Sequence, residues 1–114
     1  MREILFRGKR PYNGEWVCGF LVKMFGAYHI IDKDDENTAY EVIQETVGQY
    51  TGLKDKNGKR IWEGDILALR GGIPLVVRFE DGAFILKGSS IPMRFANKFA
   101  VIGNITDNPE LLEK

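Results

Sequence analysis

Residues 46–69, TVGQYTGLKDKNGKRIWEGDILAL, constrain this chain more than any other stretch. An alternating apolar run, a turn rich in Lys, Asp, Asn and Gly, and a second apolar run follow one another without a break. Val47, Tyr50 and Leu53 supply β-formers on one arm, and Ile61, Trp62, Ile66, Leu67 and Leu69 supply them on the other. Between them, Asp55 can hydrogen-bond forward to the backbone, while Gly58 beside Asn57 accepts the positive φ that reverses the chain. The stretch predicts a β-hairpin. Within it, Gly64 is expected to form a bulge and Asp65 to take a local backbone hydrogen bond as the second arm begins.

The remaining chain repeats the pattern of short strands and turns. Residues 2–7 alternate imperfectly, and Pro11-Tyr12-Asn13-Gly14 contains the Asn-Gly pair of a tight hairpin. Residues 15–25 return as a long strand with Gly19 as a bulge or crossing point. Gly26-Ala27 breaks the chain before residues 28–31, and residues 32–37, DKDDEN, are too polar for anything but an exposed loop. Thr38 to Gln44 reads equally as a short helix or a strand. Gly71-Gly72 leads to a strand over 73–79, where Pro74 must occupy a strand start or an unpaired edge. Asp81-Gly82 marks another hairpin turn, residues 93–95 and 99–105 read as the last strands, and residues 108–113 as a helical turn capped by Asn108 with Leu111 and Leu112 facing the core. These signals predict an all-β fold: a single domain over 1–114, with N-terminal antiparallel strands over 1–45 packed on an SH3-like barrel lobe over 46–114. A core shared by both lobes is expected, with Trp62, Ile66, Leu69, Val77 and Phe79 meeting Phe6 or Trp16.

Composition excludes several function classes. Sixteen Lys and Arg balance sixteen Asp and Glu, so no global field draws in nucleic acid or anionic lipid. One cysteine, Cys18, precludes an internal disulfide, and a single histidine, His29, leaves no Cys/His set for zinc or for a nucleophile pair. The first residues carry charge without a sustained apolar core, so no leader or membrane span is expected, and a cytoplasmic location fits.

No motif points to a reaction. Asp32, Asp34 and Glu36 alternate like calcium ligands, but an EF-hand loop begun at Asp32 needs Gly at position six and Glu at position twelve, where this chain has Asn37 and Ile43. Glu63 and Asp65 lack a third group to complete an acid–base set. The glycines fall in no phosphate-binding spacing. A non-enzymatic chain without cofactor or metal is the expectation.

The string Gln49-Tyr50-Thr51-Gly52-Leu53-Lys54-Asp55, then Asn57-Gly58-Lys59 and Ile61-Trp62-Glu63-Gly64-Asp65-Ile66, resembles the core signature of the YopX family of phage and prophage proteins. The opening residues 1–7 with Trp16, and the closing VIGNI and DNPELL strings, are also similar to that family. Residues 89–100 resemble nothing in it. The resemblance implies a small, mostly β protein of phage origin and brings no catalytic or binding residues with it.

The charges, balanced in sum, are sorted along the chain. Arg2, Arg7, Lys9 and Arg10 lie near Tyr12 and Trp16, and Lys54, Lys56, Lys59 and Arg60 flank Tyr50 and Trp62, while acids gather between Asp32 and Glu45. Cations interleaved with aromatic rings are what single-stranded nucleic-acid surfaces use, which makes Arg7, Lys9, Arg10, Trp16, Tyr50, Lys54, Lys56, Lys59 and Arg60 the candidate contacts. The competing reading, rings in the core and cations solubilising turns, is favoured by the neutral net charge. A protein-interaction or self-associating module is therefore the leading expectation, using a strand edge around residues 73–79. Nucleic-acid binding is the alternative.

Overall fold

The computed structural model describes residues 4–113 and divides into two compact units, Met1–Tyr50 and Thr51–Lys114. Both are built from antiparallel strands, as the sequence predicts.

In the first unit, β1 (Phe6–Lys9) pairs with β2 (Trp16–Met24), β2 with β3 (Ala27–Asp32), and β3 with β4 (Ala39–Glu41). Within the ambiguous stretch 38–44 only residues 39–41 are a strand, and a single 3-10 turn over 44–46 follows. The β1–β2 connection is the expected Asn-Gly turn, with Gly14 at φ +71°. Gly19 is a close approach rather than a bulge: a Cβ there would lie 1.9 Å from the Ile31 carbonyl oxygen. The β2–β3 reversal sits one residue earlier than expected, at Phe25 and Gly26, with φ of +53° and +79°. These are the paired positive values of a type I′ turn, and Phe25, a bulky residue in the left-handed region, is 100% exposed.

Strand β5 (Gly48–Lys54) begins in the first unit, where Gly48 and Gln49 pair with β1, and ends in the second, where its register is continued by β6 (Arg60–Trp62). The predicted turn joins these two strands, and Gly58 takes φ +82°. The second arm of the expected hairpin is in fact two strands. At Glu63-Gly64 the chain turns a corner into β7 (Asp65–Ala68), which belongs to a different sheet. Gly64, at φ +92°, is that corner and not a bulge. Its N–H donates to the Val77 carbonyl and its carbonyl accepts from Ile105. The Asp65 carboxylate accepts the Trp62 N–H at 2.8 Å, the local bond expected of it.

The second sheet has the order β10-β7-β8-β9, with β8 at Leu75–Glu80, β9 at Ala83–Lys87 and β10 at Ala100–Asn104. Its core contains Ile61, Leu67, Leu75, Val77, Leu86, Ala96 and Phe99. The sheet does not close into the expected SH3-like barrel: β9 and β10 remain its two margins. Leu69 and Phe79, both expected in the core, are each 48% exposed. Leu69 lies beyond the end of β7, and Phe79 pairs with Phe84 near the hairpin tip, where the apolar face runs out past the packed layer. Residues 93–98 form a 3-10 helix where a strand was expected at 93–95, and it seats Ala96 in the core. The final turn, Pro109–Leu112, is also 3-10. Asn108 does not cap it by side chain; its Oδ1 instead accepts the Asn104 N–H, and Leu112 is exposed rather than turned to the core.

Candidate interaction surfaces

The candidate contacts from the first unit separate on inspection. Cross-strand register sets Lys9 opposite Trp16 and Arg7 opposite Cys18 on one sheet face. The Arg7 guanidinium lies 4.7 Å from the centroid of the Trp16 ring, and the Lys9 ammonium 5.9 Å, so both cations hold this half-buried ring by cation–π attraction. Arg10 stacks instead over Tyr40, at 4.7 Å. Tyr50 is 5% exposed, so it is a core ring and offers no face to a base.

In the second unit, Lys54, Lys56 and Lys59 are exposed and Arg60 half-buried around the 55–59 turn, while Trp62 is buried. Asp55 organises this turn. One carboxylate oxygen accepts the N–H groups of Asn57 and Lys59 at 2.8 and 2.9 Å, and the other accepts the Val101 N–H at 2.9 Å. Burial to 5% exposure would push this carboxyl up, but the Val101, Lys59 and Asn57 amides and the Lys59 charge hold it below the ordinary aspartate value. A further bond runs from the Lys56 N–H to the Phe99 carbonyl at 3.0 Å. The turn is thereby fastened to the segment that enters β10. That attachment sets Lys98, the residue before Phe99 and not singled out by the sequence, beside the basic turn. Arg94 lies over the Phe95 ring at 4.8 Å. No sequence signal foretold this, because it depends on a bond between residues more than forty apart.

The acidic loop uses its carboxylates internally. Asp32 accepts the Asp34 N–H, and Asp35 accepts the Asn37 N–H and the Thr38 hydroxyl. The Thr38 hydroxyl, followed by the Asn37 amide, lowers the Asp35 pKa. Among the described residues, no group of three or more His, Cys, Asp or Glu is placed to hold a metal ion. His29 makes its ring contact with the Ala27 carbonyl, and Cys18 is a half-buried free thiol. No helix among the described residues is long and apolar enough to cross a membrane. An open hollow of about 250 Å³ in the second unit is lined by Leu69, Ile73, Leu75, Ile91 and Phe99, with Ser89 at its polar margin. It has no charged side chain in its lining to perform acid–base chemistry.

The sheet edges differ from one another. The edge expected over 73–79 does not exist, because β8 is paired on both sides, by β7 and by β9. Strands β4 and β6 are three residues long. Strand β10 is bulged between Val101 and Gly103 and is covered by Asp55 at Val101 and by Asn108 at Asn104. Strand β9, AFILK, is different: five residues, no proline and no register shift, its single charge Lys87 tied to Glu80 at 2.7 Å. Its turn is two residues long, Asp81-Gly82, so Ala83, Ile85 and Lys87 aim their backbone groups at β8. Phe84 and Leu86 aim theirs away from β8, but Leu86 is only 1% exposed, the 93–98 helix packs beside the strand, and the Leu86 carbonyl accepts the Ser89 hydroxyl at 3.3 Å, so this edge is closed at Leu86.

The YopX protein family profile matches residues 5–113, nearly the whole chain. The chain belongs to the YopX family. Among solved structures, this YopX chain is similar to the crystal structure of protein EF1440 from Enterococcus faecalis, with a TM-score of 0.66 and 28% identity over 99% of this chain and 100% of that one. No curated protein matches it at a significant level. In this YopX chain the 49–66 signature is fold chemistry: Asp55, Gly58, Gly64 and Asp65 all serve turns and corners.

Proposed function

We propose that this phage-type protein is a non-enzymatic interaction module that associates through the tip of the β8–β9 hairpin, with a second copy of the chain as the first such partner. The exposed apolar tip carries the reading. Phe79 is 48% exposed and meets the half-buried Phe84 edge to face at 5.0 Å, with the exposed Ala83 beside them. Aromatic rings gathered at one exposed spot are the anchors that protein interfaces bury.

Strand addition along β9 is not the mode, because Leu86 is 1% exposed and its backbone is closed off. A patch that meets its own copy about a two-fold axis sets Phe79 of each chain against the hairpin tip of the other.

Sedimentation equilibrium tests the proposal through Phe79, whose ring is half exposed. Phe79→Lys puts a charge into the patch of both copies and is expected to shift the protein toward monomer, whereas Phe79→Tyr keeps the ring and is expected to keep the dimer. A wild-type protein monomeric at tens-of-micromolar concentration, or a dimer indifferent to Phe79→Lys, refutes the proposal.

A further inference from the structure

We infer that the second unit carries a single-stranded nucleic-acid site, distinct from the tip of the β8–β9 hairpin, built from the 55–59 turn and the 3-10 helix Met93–Lys98. The two segments, KDKNGKR at 54–60 and MRFANK at 93–98, contain six Lys and Arg and one acid. That acid, Asp55, is buried with both oxygens accepting backbone N–H groups. Its charge is spent inside the fold, and the surface above it is left basic. The same carboxylate, together with the Lys56 N–H to Phe99 carbonyl bond, fixes the turn beside residue 98. Lys54, Lys56, Lys59 and Lys98 are exposed, and none is salt-bridged to a described carboxylate.

The aromatic component comes from the helix. Side chains three apart eclipse in a 3-10 helix, so Phe95 and Lys98 stand on one face. Phe95 is 39% exposed, and the Arg94 guanidinium over its ring extends it into a flat, cationic platform. Planar bases stack on such a platform while lysines take the phosphates, and the exposed amides of Asn57 and Asn97 can meet base edges. An acidic protein segment would satisfy the lysines but leave the platform unused, so the combination favours a nucleic-acid strand. Duplex DNA is excluded as the main ligand, because its bases present no free faces.

Fluorescence anisotropy with labelled oligothymidine, across a series of salt concentrations, tests the site. The wild type is expected to bind with a log–log salt slope of magnitude about 3, near 0.7 per phosphate contact. The triple variant Lys56→Ala/Lys59→Ala/Lys98→Ala, expected to keep the wild-type melting curve, should lower that magnitude by about 2. Phe95→Leu keeps an apolar side chain but removes the ring, and should weaken binding about fivefold or more with the slope unchanged. Absence of binding at low salt overturns the inference. So does equal displacement of the oligonucleotide by polyglutamate together with indifference to Phe95→Leu, which would assign the patch to acidic protein segments.

Discussion

Replacing Asp55 with Asn isolates the bond set that joins the turn to β10. An asparagine has one acceptor oxygen where the aspartate has two. If that oxygen keeps the Asn57 and Lys59 amides, the side-chain NH₂ faces the Val101 N–H, and a buried donor is left against a donor. Leaving such a group unmet costs about 1–3 kcal/mol, and losing the charge on the two remaining bonds adds to it, so about 2–3 kcal/mol is expected at neutral pH. At roughly 4 °C per kcal/mol for a chain of this size, the melting temperature should fall by about 8–12 °C. The loss should also depend on pH in one direction. The Asp55 pKa is lower in the folded protein than in the unfolded chain, so its contribution is complete above the ordinary aspartate value and disappears as pH falls through the folded-state value. The gap between wild type and Asp55→Asn should therefore be constant near neutrality and narrow below about pH 4. Urea denaturation read by fluorescence of the buried Trp62, in a Trp16→Phe background so that the second unit is seen alone, measures both quantities. An equal gap at pH 3 and pH 7, or no gap at pH 7, would refute the assignment of Asp55 as the turn's charged organiser.

Two further outcomes are expected in the first unit. Gly19→Ala sets a methyl group 1.9 Å from the Ile31 carbonyl oxygen and should cost more than about 3 kcal/mol through forced separation of β2 from β3, read as a lowered denaturation midpoint; an unchanged midpoint would disprove the close approach. Phe25→Asn puts a residue suited to the left-handed region at the fully exposed position before Gly26 and should stabilise by up to about 1 kcal/mol, with a loss of stability on the same measurement counting against the type I′ turn.

The turns were the most legible part of this sequence because their chemistry is local. Asn13-Gly14, Asp55 to Gly58 and Asp81-Gly82 each contain the residues that their backbone angles require, and each is a turn in the structure. Strand partnership was less legible. The run Ile61 to Leu69 looks like one arm, but Gly64 lets the chain leave one sheet for another, and alternation alone does not report which sheet a strand joins. The strand expected over 93–95 fails for a related reason: Met and Phe are compatible with a strand, and only the need to seat Ala96 in the core with Leu86 and Phe99 decides for a 3-10 helix over 93–98. The basic turn was visible as a charge run, while its neighbour Lys98 was not, since its placement follows from the tertiary bond between Lys56 and Phe99. The rings chosen beside the cations were unevenly legible. Trp16 keeps its cations, but Tyr50 and Trp62 are buried, because a β-forming aromatic in a strand packs inward as readily as it faces solvent.

The bond from Val101 to Asp55 spans 46 residues, and this has a consequence for the order in which the chain acquires structure during synthesis. At about 5–20 residues per second, Val101 leaves the ribosome roughly 2 to 9 seconds after Asp55. The 55–59 turn can close at once on its own two amides, since a hairpin forms in microseconds. Its second carboxylate oxygen stays in water through that interval, and the amide edge that becomes β10 has not yet been made. The nascent protein therefore waits with the Phe99 and Val101 positions of its core vacant, and the second unit can only be completed once Val101 has emerged.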